Sequence, residues 1–194
     1  MERLRVLVAD DDDAVRSALA HLVESLGHEV VAQARDGLEA VALTQETSPT
    51  LLLLDIRMPR CDGLEAAKTI LHQTPVAIVI VTAYADETLM DQAAEVGVFS
   101  YLVKPVTRER LAAAISTARA RFADLQVLRQ EVGTLQQALE ARKLIERAKG
   151  IVMRDLGVTE QDAYRWLKRT SSLSNQPIVE VARRVVALET QPTA

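Results

Sequence analysis

Acidic side chains stand at the ends of two apolar runs in this sequence. Asp10 and Asp11 follow the run 6–9, and Asp55 ends a run of four leucines. Carboxylates that lie close together repel each other, so such a cluster needs a bound cation or shifted pKa values. Oxygen ligands with room for water suit Mg²⁺, which can neutralise both an attacking carboxylate and a transferred phosphoryl group. The pattern therefore predicts a magnesium-dependent phosphoryl site if the two runs are neighbouring strands.

Two further apolar runs end in side chains that suit the same chemistry. Thr82 offers a hydroxyl donor, and Lys104 offers a positive charge to a phosphoryl group. Each residue alone has an ordinary structural role, such as a strand-end hydroxyl or a Lys-Pro turn. Residues 10–13 could likewise form a solvated loop in which Asp13 caps the next helix. The occurrence of such residues at the ends of all four apolar runs favours one shared site.

Apolar runs rich in Val, Ile and Leu alternate with amphipathic segments over about the first 120 residues. Runs without polar alternation are typical of strands buried on both faces, and intervening helices supply the crossovers of a parallel sheet. The sequence therefore predicts an α/β fold with a doubly wound, five-stranded parallel sheet, whose carboxyl edge carries the polar residues. The predicted strands are 4–9, 29–34, 51–55, 76–81 and 99–103, and the predicted helices are 14–26, 37–46, 63–72, 86–95 and one from 107 onward.

Length and composition limit the class of protein. A chain of 194 residues with 48% apolar residues can form one full domain and a smaller one. Cys61 is the single cysteine, so no intramolecular disulfide can form. The amino terminus has no signal-peptide pattern, and no apolar stretch approaches membrane-spanning length. We therefore expect a cytoplasmic protein that does not associate with membranes.

Charge is divided unevenly along the chain, whose overall net charge is −4. Residues 1–121 carry 12 Lys and Arg against 18 Asp and Glu, a net charge of −6. Residues 142–184 carry 10 against 5, a net charge of +5. Such asymmetry indicates an acidic module joined to one that binds a polyanion.

Four segments in residues 1–121 together resemble the receiver domain of two-component response regulators. They are Val8-Ala9-Asp10-Asp11, Leu54 to Pro59 with Asp62-Gly63, Val81-Thr82-Ala83, and Tyr101 to Pro105. The resemblance implies a flavodoxin-like fold with strand order 2-1-3-4-5. It also implies that Asp55 accepts a phosphoryl group from a sensor histidine kinase. Asp11 and Asp55 would bind Mg²⁺ directly, Asp10 largely through water, and the backbone carbonyl of Arg57 would complete the protein ligands.

The same resemblance implies how phosphorylation is sensed. Thr82 would move toward the phosphoryl group while Tyr101 turns inward, and Lys104 would pair with the group; the Lys104-Pro105 bond would be cis. Phosphorylation adds about two negative charges and new acceptor oxygens, which would bias a two-state arrangement of the last strands and helices. The sequence shows no second catalytic constellation, so we expect no separate enzymatic activity.

The helix predicted from residue 107 onward continues as a heptad-like seam of apolar residues. Their spacing alternates between four and three residues, with one additional spacing of three. The seam consists of Leu111, Ile115, Ala118, Phe122, Leu125, Leu128, Val132, Leu135 and Leu139. Leu111 and Ile115 could pack on the predicted sheet, but positions beyond Phe122 extend past it. We therefore predict a long coiled-coil helix, with residues 122–134 as a connector and a homodimer formed through residues 111–139.

Residues 135–194 read as a small all-α domain of three helices. The first continues the connector to Leu156, the second starts after Thr159 and runs to about Thr170, and the third starts at Pro177. The predicted core consists of Ile145, Ala148, Val152, Leu156, Ala163, Leu167, Ile178, Val181, Ala182 and Val185, with Trp166 helping to fill it.

Several segments of this part resemble the ANTAR module, a three-helix RNA-binding domain of transcription antitermination regulators. They are Arg142 to Met153, Leu156 to Glu160, Ala163 to Leu167, and Ile178 to Ala182. One departure is Ser171-Ser172, where family members commonly carry a small residue followed by methionine. The resemblance implies a phosphorylation-controlled antiterminator that binds paired stem-loops in nascent RNA. The predicted RNA contacts are Lys143, Arg147, Lys149, Arg154, Tyr164, Arg165, Lys168 and Arg169.

Charge by itself leaves other outputs open. A basic stripe on a helix is often only a solvated face, which would fit a domain that binds protein alone. A helix-turn-helix that binds duplex DNA is a further alternative, although the expected glycine-containing turn between two short helices is not evident. Because acidic residues are sparse here, contacts with phosphates are favoured.

Overall fold

The computed structural model describes residues 3–83 and 87–189, which fall into two compact units, 1–126 and 127–194. Within the described residues, no helix combines the length and the apolar character needed to cross a membrane. The first unit contains strands β1 (Arg5–Ala9), β2 (Glu29–Ala34), β3 (Leu51–Asp55), β4 (Ala77–Thr82) and β5 (Ser100–Val103), helices α1 (Asp13–Ser25), α2 (Gly37–Thr47), α3 (Gly63–Gln73) and α4 (Glu87–Val96), and the start of α5 (Arg108–Leu156).

The five strands form one parallel sheet in the order β2-β1-β3-β4-β5, which confirms the predicted fold class and strand order. Successive residues of a strand contribute to opposite faces of this sheet. Val6 and Val8 pack in a core with α1 and α5, whereas Leu7 and Ala9 pack in a second core with α2 and α3. Because both faces are covered by helices, the strands are apolar throughout, as the uninterrupted runs in the sequence predict.

The cap of α1 differs by one residue from the alternative that the sequence allowed. Asp12, and not Asp13, is the N-cap, and its Oδ1 accepts hydrogen bonds from the backbone N–H groups of Ala14 (2.8 Å) and Val15 (3.2 Å). A capping side chain must precede the first helical residue to reach N–H groups two and three positions on. Asp13 is already helical and pairs with Arg16.

Helix α5 is continuous from Arg108 to Leu156, as predicted for the connector. Leu111, Ile115 and Ala118 are buried in the core of the first unit. Phe122 packs edge-to-face against Phe99, with ring centroids 5.7 Å apart. The later seam positions Leu128, Val132, Leu135 and Leu139 are exposed. The first three positions of the predicted dimer seam are therefore occupied by packing within one chain, because there the helix covers the sheet.

The second unit contains the rest of α5 together with α6 (Glu160–Ser174) and α7 (Ile178–Glu189). Its buried core consists of Ala148, Val152, Ala163, Leu167, Val181 and Ala182. The prediction that Leu156 and Trp166 are part of the core is wrong, because their side chains are 55% and 40% exposed. Leu156 is the last residue of α5, and Trp166 lies beside the inward-facing pair Ala163 and Leu167, about 100° around the helix.

Helix α6 also extends four residues beyond its predicted end near Thr170. The hydroxyls of Ser172 and Ser174 donate to the carbonyls of Lys168 and Thr170, at 3.1 and 2.7 Å, so these serines satisfy their polar groups inside a helix. Asn175 then ends the helix in the left-handed conformation, a role that asparagine fills when glycine is absent. At the other end Thr159 caps α6, as predicted.

Candidate functional site

Strand pairing brings four of the predicted site residues to the carboxyl edge of the sheet. Strand β1 lies beside β3, so Asp10 and Asp55 reach this edge from neighbouring strands. Strand β4 pairs with β5, and the backbone N–H of Lys104 donates to the carbonyl of Thr82 at 2.8 Å. The strands thus deliver two carboxylates, a hydroxyl and an ammonium group to one edge.

Lys104 joins the two buried carboxylates. Its Nζ lies 2.7 Å from Oδ2 of Asp10 and 2.8 Å from Oδ1 of Asp55, and all three side chains are largely shielded from water. The other oxygen of Asp10 accepts a hydrogen bond from the backbone N–H of Asp12 at 3.1 Å. With one positive and two negative charges, this cluster carries a net charge of −1.

Burial and the neighbouring charges shift the pKa values of this cluster in opposite directions. The pKa of Asp55 is raised, mainly because burial disfavours its charged form, although the hydrogen bond and charge of Lys104 oppose the shift. Burial alone would lower the pKa of Lys104, but the hydrogen bonds that its ammonium donates to Asp10 and Asp55, and their negative charges, outweigh burial and raise the pKa. The ammonium group is therefore held in its charged form beside the predicted acceptor.

The residues at this edge fit a divalent cation, although the structure does not assemble all of the predicted ligands. Oδ2 of Asp10 is buried and lies 2.7 Å from the ammonium of Lys104. Asp11 is exposed, and the backbone of Arg57 hydrogen-bonds to the carboxylate of Asp55. Within residues 3–83 and 87–189, no three His, Cys, Asp or Glu side chains are placed to hold a metal ion. Hard carboxylate oxygens nonetheless form the donor set that Mg²⁺ requires.

The two predicted switch residues occupy different environments. Thr82 is buried at the end of β4, whereas Tyr101 on β5 is 45% exposed. The Lys104-Pro105 peptide bond is cis, as the receiver resemblance implies. Nearly half of the Tyr101 surface is therefore accessible to solvent, whereas Thr82 is enclosed.

The backbone packs closely around Asp55, the predicted phosphoryl acceptor. The sequence did not indicate how close this packing is. A Cβ at Gly63 would lie 1.9 Å from the carbonyl oxygen of Asp55, so any other residue would displace the loop. The backbone N–H of Gly63 donates to the carbonyl of Ile56 at 2.8 Å. Arg16 was also missed: its guanidinium donates to the carbonyl of Asp10 at 2.7 Å. The Asp62-Gly63 pair was the available signal for the first contact, but sequence gives none for the second.

In the second unit, Lys149 differs from the other predicted RNA contacts. Its side chain is only 10% exposed, and its ammonium lies 2.8 Å from Glu146 and 2.6 Å from Glu160. The pKa of Lys149 is raised, mainly by the hydrogen bond that its ammonium donates to Glu146 and then by the one that it donates to Glu160. Lys149 therefore joins α5 to the start of α6, and we exclude it from the candidate nucleic-acid surface.

Two other predicted contacts share a carboxylate of α7. Glu189 lies 2.8 Å from Arg154 and 3.5 Å from Arg147. Both arginines remain more than half exposed, so their guanidinium groups are still accessible to a phosphate. Lys143 pairs with Glu140 at 2.8 Å, and with Arg147 and Arg183 it lines a groove of about 800 Å³.

The predicted contacts of α6 form a separate group. Arg165, Lys168 and Arg169 line a groove of about 530 Å³ together with Trp166 and Ser172. Arg165 pairs with Asp162 at 3.3 Å. In the part of the chain that the structure describes, neither Lys168 nor Arg169 has an ion-pair partner. Tyr164 is 45% exposed and does not line this groove.

Comparison with protein families assigns both parts of the chain. Residues 6–116 match the response regulator receiver domain, and residues 133–186 match the ANTAR domain. The transcriptional regulatory protein PdtaR of Mycobacterium tuberculosis is 40% identical over 189 residues, which cover 97% of this chain and 91% of PdtaR.

Solved structures resemble the first unit. The signal receiver domain of NarL from Mycobacterium tuberculosis has a TM-score of 0.58 and 30% identity, and the match covers 61% of this chain and 98% of that one. The CheX–CheY–BeF₃–Mg²⁺ complex from Borrelia burgdorferi has a TM-score of 0.55 and 25% identity, covering 57% of this chain and 85% of that one.

Proposed function

This chain belongs to the two-component response regulators, with a receiver domain and an ANTAR output domain, and we propose that phosphorylation of Asp55 by a sensor histidine kinase controls its binding to RNA. The bound RNA would be paired stem-loops of a nascent transcript in the cytoplasm, held as an antiterminator against a terminator hairpin. The placement of Lys104 within 2.8 Å of both Asp10 and Asp55 is the observation that carries this proposal. It supplies a fixed positive charge beside the proposed acceptor.

In the proposed transfer, a carboxylate oxygen of Asp55 attacks the phosphorus of a phosphohistidine, and the phosphorus–nitrogen bond breaks as the acyl phosphate forms. Lys104 stabilises the oxygens of the transferred group. Asp10, Asp11, Asp55 and the backbone carbonyl of Arg57 would hold Mg²⁺, which neutralises charge between acceptor and phosphoryl oxygens. The likeness to the CheX–CheY–BeF₃–Mg²⁺ complex of Borrelia burgdorferi supports Mg²⁺ as the cation.

The arrangement around Lys104 also supports a switch. Phosphorylation adds about two negative charges to a cluster in which one ammonium already serves two carboxylates. The hydroxyl of Thr82 would donate to the new oxygens, and the backbone hydrogen bond between Lys104 and Thr82 keeps the two residues adjacent at this edge. As Thr82 moves, the exposed Tyr101 would turn inward, which changes the surface formed by β5 and its neighbours.

The output would use the exposed cations of the second unit. Lys168 and Arg169 are the strongest candidates for phosphate contacts, followed by Arg165, Arg147 and Arg154, whose ion pairs are exposed and therefore weak. Lys143 and Tyr164 complete the proposed surface. The proposed domains are a receiver over 1–121, a connector over 122–134 and an ANTAR domain over 135–194.

A homodimer through α5 would present two such surfaces to paired stem-loops. Leu128, Val132, Leu135 and Leu139 are exposed at heptad spacing and supply its apolar seam. Since Leu111, Ile115 and Ala118 are buried within one chain, we place the dimer contact after Phe122.

Competition binding tests the RNA proposal. Full-length protein, with and without a small phosphodonor, is mixed with labelled stem-loop RNA and then with unlabelled RNA or duplex DNA at one salt concentration. We expect stem-loop RNA to compete at least tenfold better than duplex DNA. Preferred binding to duplex DNA would indicate a DNA-binding output, and negligible affinity for both would indicate a protein-binding one.

A further inference from the structure

Trp166 is the only tryptophan of the chain, and its side chain is 40% exposed although it lies in the middle of α6. The neighbouring face of this helix supplies Ala163 and Leu167 to the core. An indole offers a large flat surface for contact, and its exposure leaves that surface partly uncovered.

Two depressions of the surface meet at this side chain. On one side, Trp166 lines an apolar crevice of about 270 Å³ with residues of α5 and α7. On the other side, it lines the basic groove with Arg165, Lys168 and Arg169. Asp155 and Glu189 also line the crevice, whereas the groove exposes the indole beside basic side chains.

The groove has the charge that a nucleic acid requires. Arg165, Lys168, Arg169 and Ser172 are spaced three, four and seven residues along α6, so they share one face, and Trp166 lies at its margin. The charges of Lys168 and Arg169 have no ion-pair partners within residues 3–83 and 87–189. Phosphates can therefore bind without first displacing a carboxylate from them.

We propose that Trp166 stacks on an unpaired base of the bound RNA while Lys168 and Arg169 contact the adjoining phosphates. This inference rests on the proposed RNA-binding function and specifies its mode of recognition. A flat indole in one groove with two cations matches a splayed nucleotide, which presents both a π-face and a charged backbone. Unpaired loop bases can reach the indole, whereas bases inside a duplex are already stacked.

Trp166 is better placed for this role than Tyr164, the aromatic residue that the sequence suggested. The two residues are two positions apart on α6, so they project about 200° from each other. Tyr164 does not line the groove that contains Lys168 and Arg169. A base stacked on Tyr164 would therefore lie away from the unpaired cations.

Tryptophan fluorescence reports on this site alone, because the chain has one tryptophan. The probe is an RNA of two tandem stem-loops, selected on the full-length protein from a pool with randomised loops and labelled for anisotropy. We expect quenching of Trp166 emission and the rise in anisotropy to share one midpoint. A continuous duplex of the same stem composition should bind more weakly and quench less.

Three variants measure the contribution of the indole. Trp166→Ala should weaken binding by about 5- to 100-fold, as is typical for loss of one stacked base, without changing the salt dependence. Trp166→Phe retains an aromatic ring and should recover most of the affinity. Leu173→Ala removes an exposed apolar side chain of the same helix and should leave binding unchanged. Circular dichroism with thermal unfolding establishes that each variant is folded.

The outcomes separate this inference from the proposed function. If wild-type protein binds no stem-loop RNA, the proposed function fails and stacking fails with it. If RNA binds and Lys168→Gln weakens it, but Trp166 emission stays constant and Trp166→Ala binds normally, stacking alone is overturned. Emission that changes with protein concentration before RNA is added would also overturn it, since the indole would then face a second copy of the chain.

Discussion

Lys104 in the first unit and Lys168 in the second show two uses of the same side chain. Lys104 is largely buried between two carboxylates, whereas Lys168 lines an open groove and has no ion-pair partner in the described chain. Interactions between buried charges are screened little by salt and depend on geometry, while those of exposed charges are screened and depend on their number. In the proposed function, the first unit therefore depends on the position of one charge, and the second on the number of exposed charges.

The largest expected effect concerns Asp55. Asp55→Asn removes the proposed nucleophilic carboxylate, so phosphorylation by a small phosphodonor or a cognate kinase should be lost completely, as measured by intact-protein mass. Asp12→Asn is the matched control, since asparagine caps a helix as well as aspartate does, and it should be phosphorylated at close to the wild-type level. Phosphate on the Asp55→Asn protein would refute the assignment of the acceptor.

Replacing Lys104 and Lys168 by alanine tests whether the buried lysine contributes more to stability than the exposed one. Lys104→Ala leaves two buried carboxylates without their cation, and we expect a loss of about 1–3 kcal/mol in the free energy of unfolding, partly restored by Mg²⁺. Lys168→Ala should change stability by less than about 0.5 kcal/mol. Urea unfolding with and without MgCl₂ measures both. Equal losses for the two variants would show that the difference in burial has no energetic consequence.

A smaller effect should separate Lys168 from Lys149 in RNA binding. Lys168→Gln removes one proposed phosphate contact, so the slope of log affinity against log salt should fall by about 0.7–0.9, with affinity about fourfold lower near physiological salt. Lys149→Gln should lower the melting temperature, because Glu146 and Glu160 lose their shared partner, but should leave the salt slope unchanged. A reduced slope for Lys149→Gln would place it on the RNA surface after all.

The sheet and its polar edge could be predicted because both depend on patterns local to the sequence. Runs such as residues 51–54 are apolar at every position only when both faces of a strand are covered, and the residue after the run then lies at the sheet edge. The same rule was sufficient to place four residues at this edge: Asp10, Asp55, Thr82 and Lys104. Arg16 could not be found in this way, since its contact is with a backbone carbonyl and leaves no motif.

The second unit was less predictable, because helical spacing assigns a residue to a face but not to a partner. From its position in the sequence, Lys149 cannot be told apart from the exposed basic residues of α5. In the structure, however, Glu160 of the next helix binds its ammonium at 2.6 Å. Arg147 and Arg154 likewise meet Glu189 only through packing of α7 against α5. Trp166 was assigned to the core by residue type, although a small domain whose buried core has three alanines, two valines and one leucine has little room for an indole.

The most direct test measures stem-loop RNA affinity of the full-length protein before and after phosphorylation, with Asp55→Asn treated in parallel. If the receiver controls the ANTAR domain, wild-type affinity should change by about 5- to 150-fold, the range typical of coupled sites, and the variant should show no change. Wild-type affinity that is the same in both states, with phosphorylation verified by mass, would contradict the account.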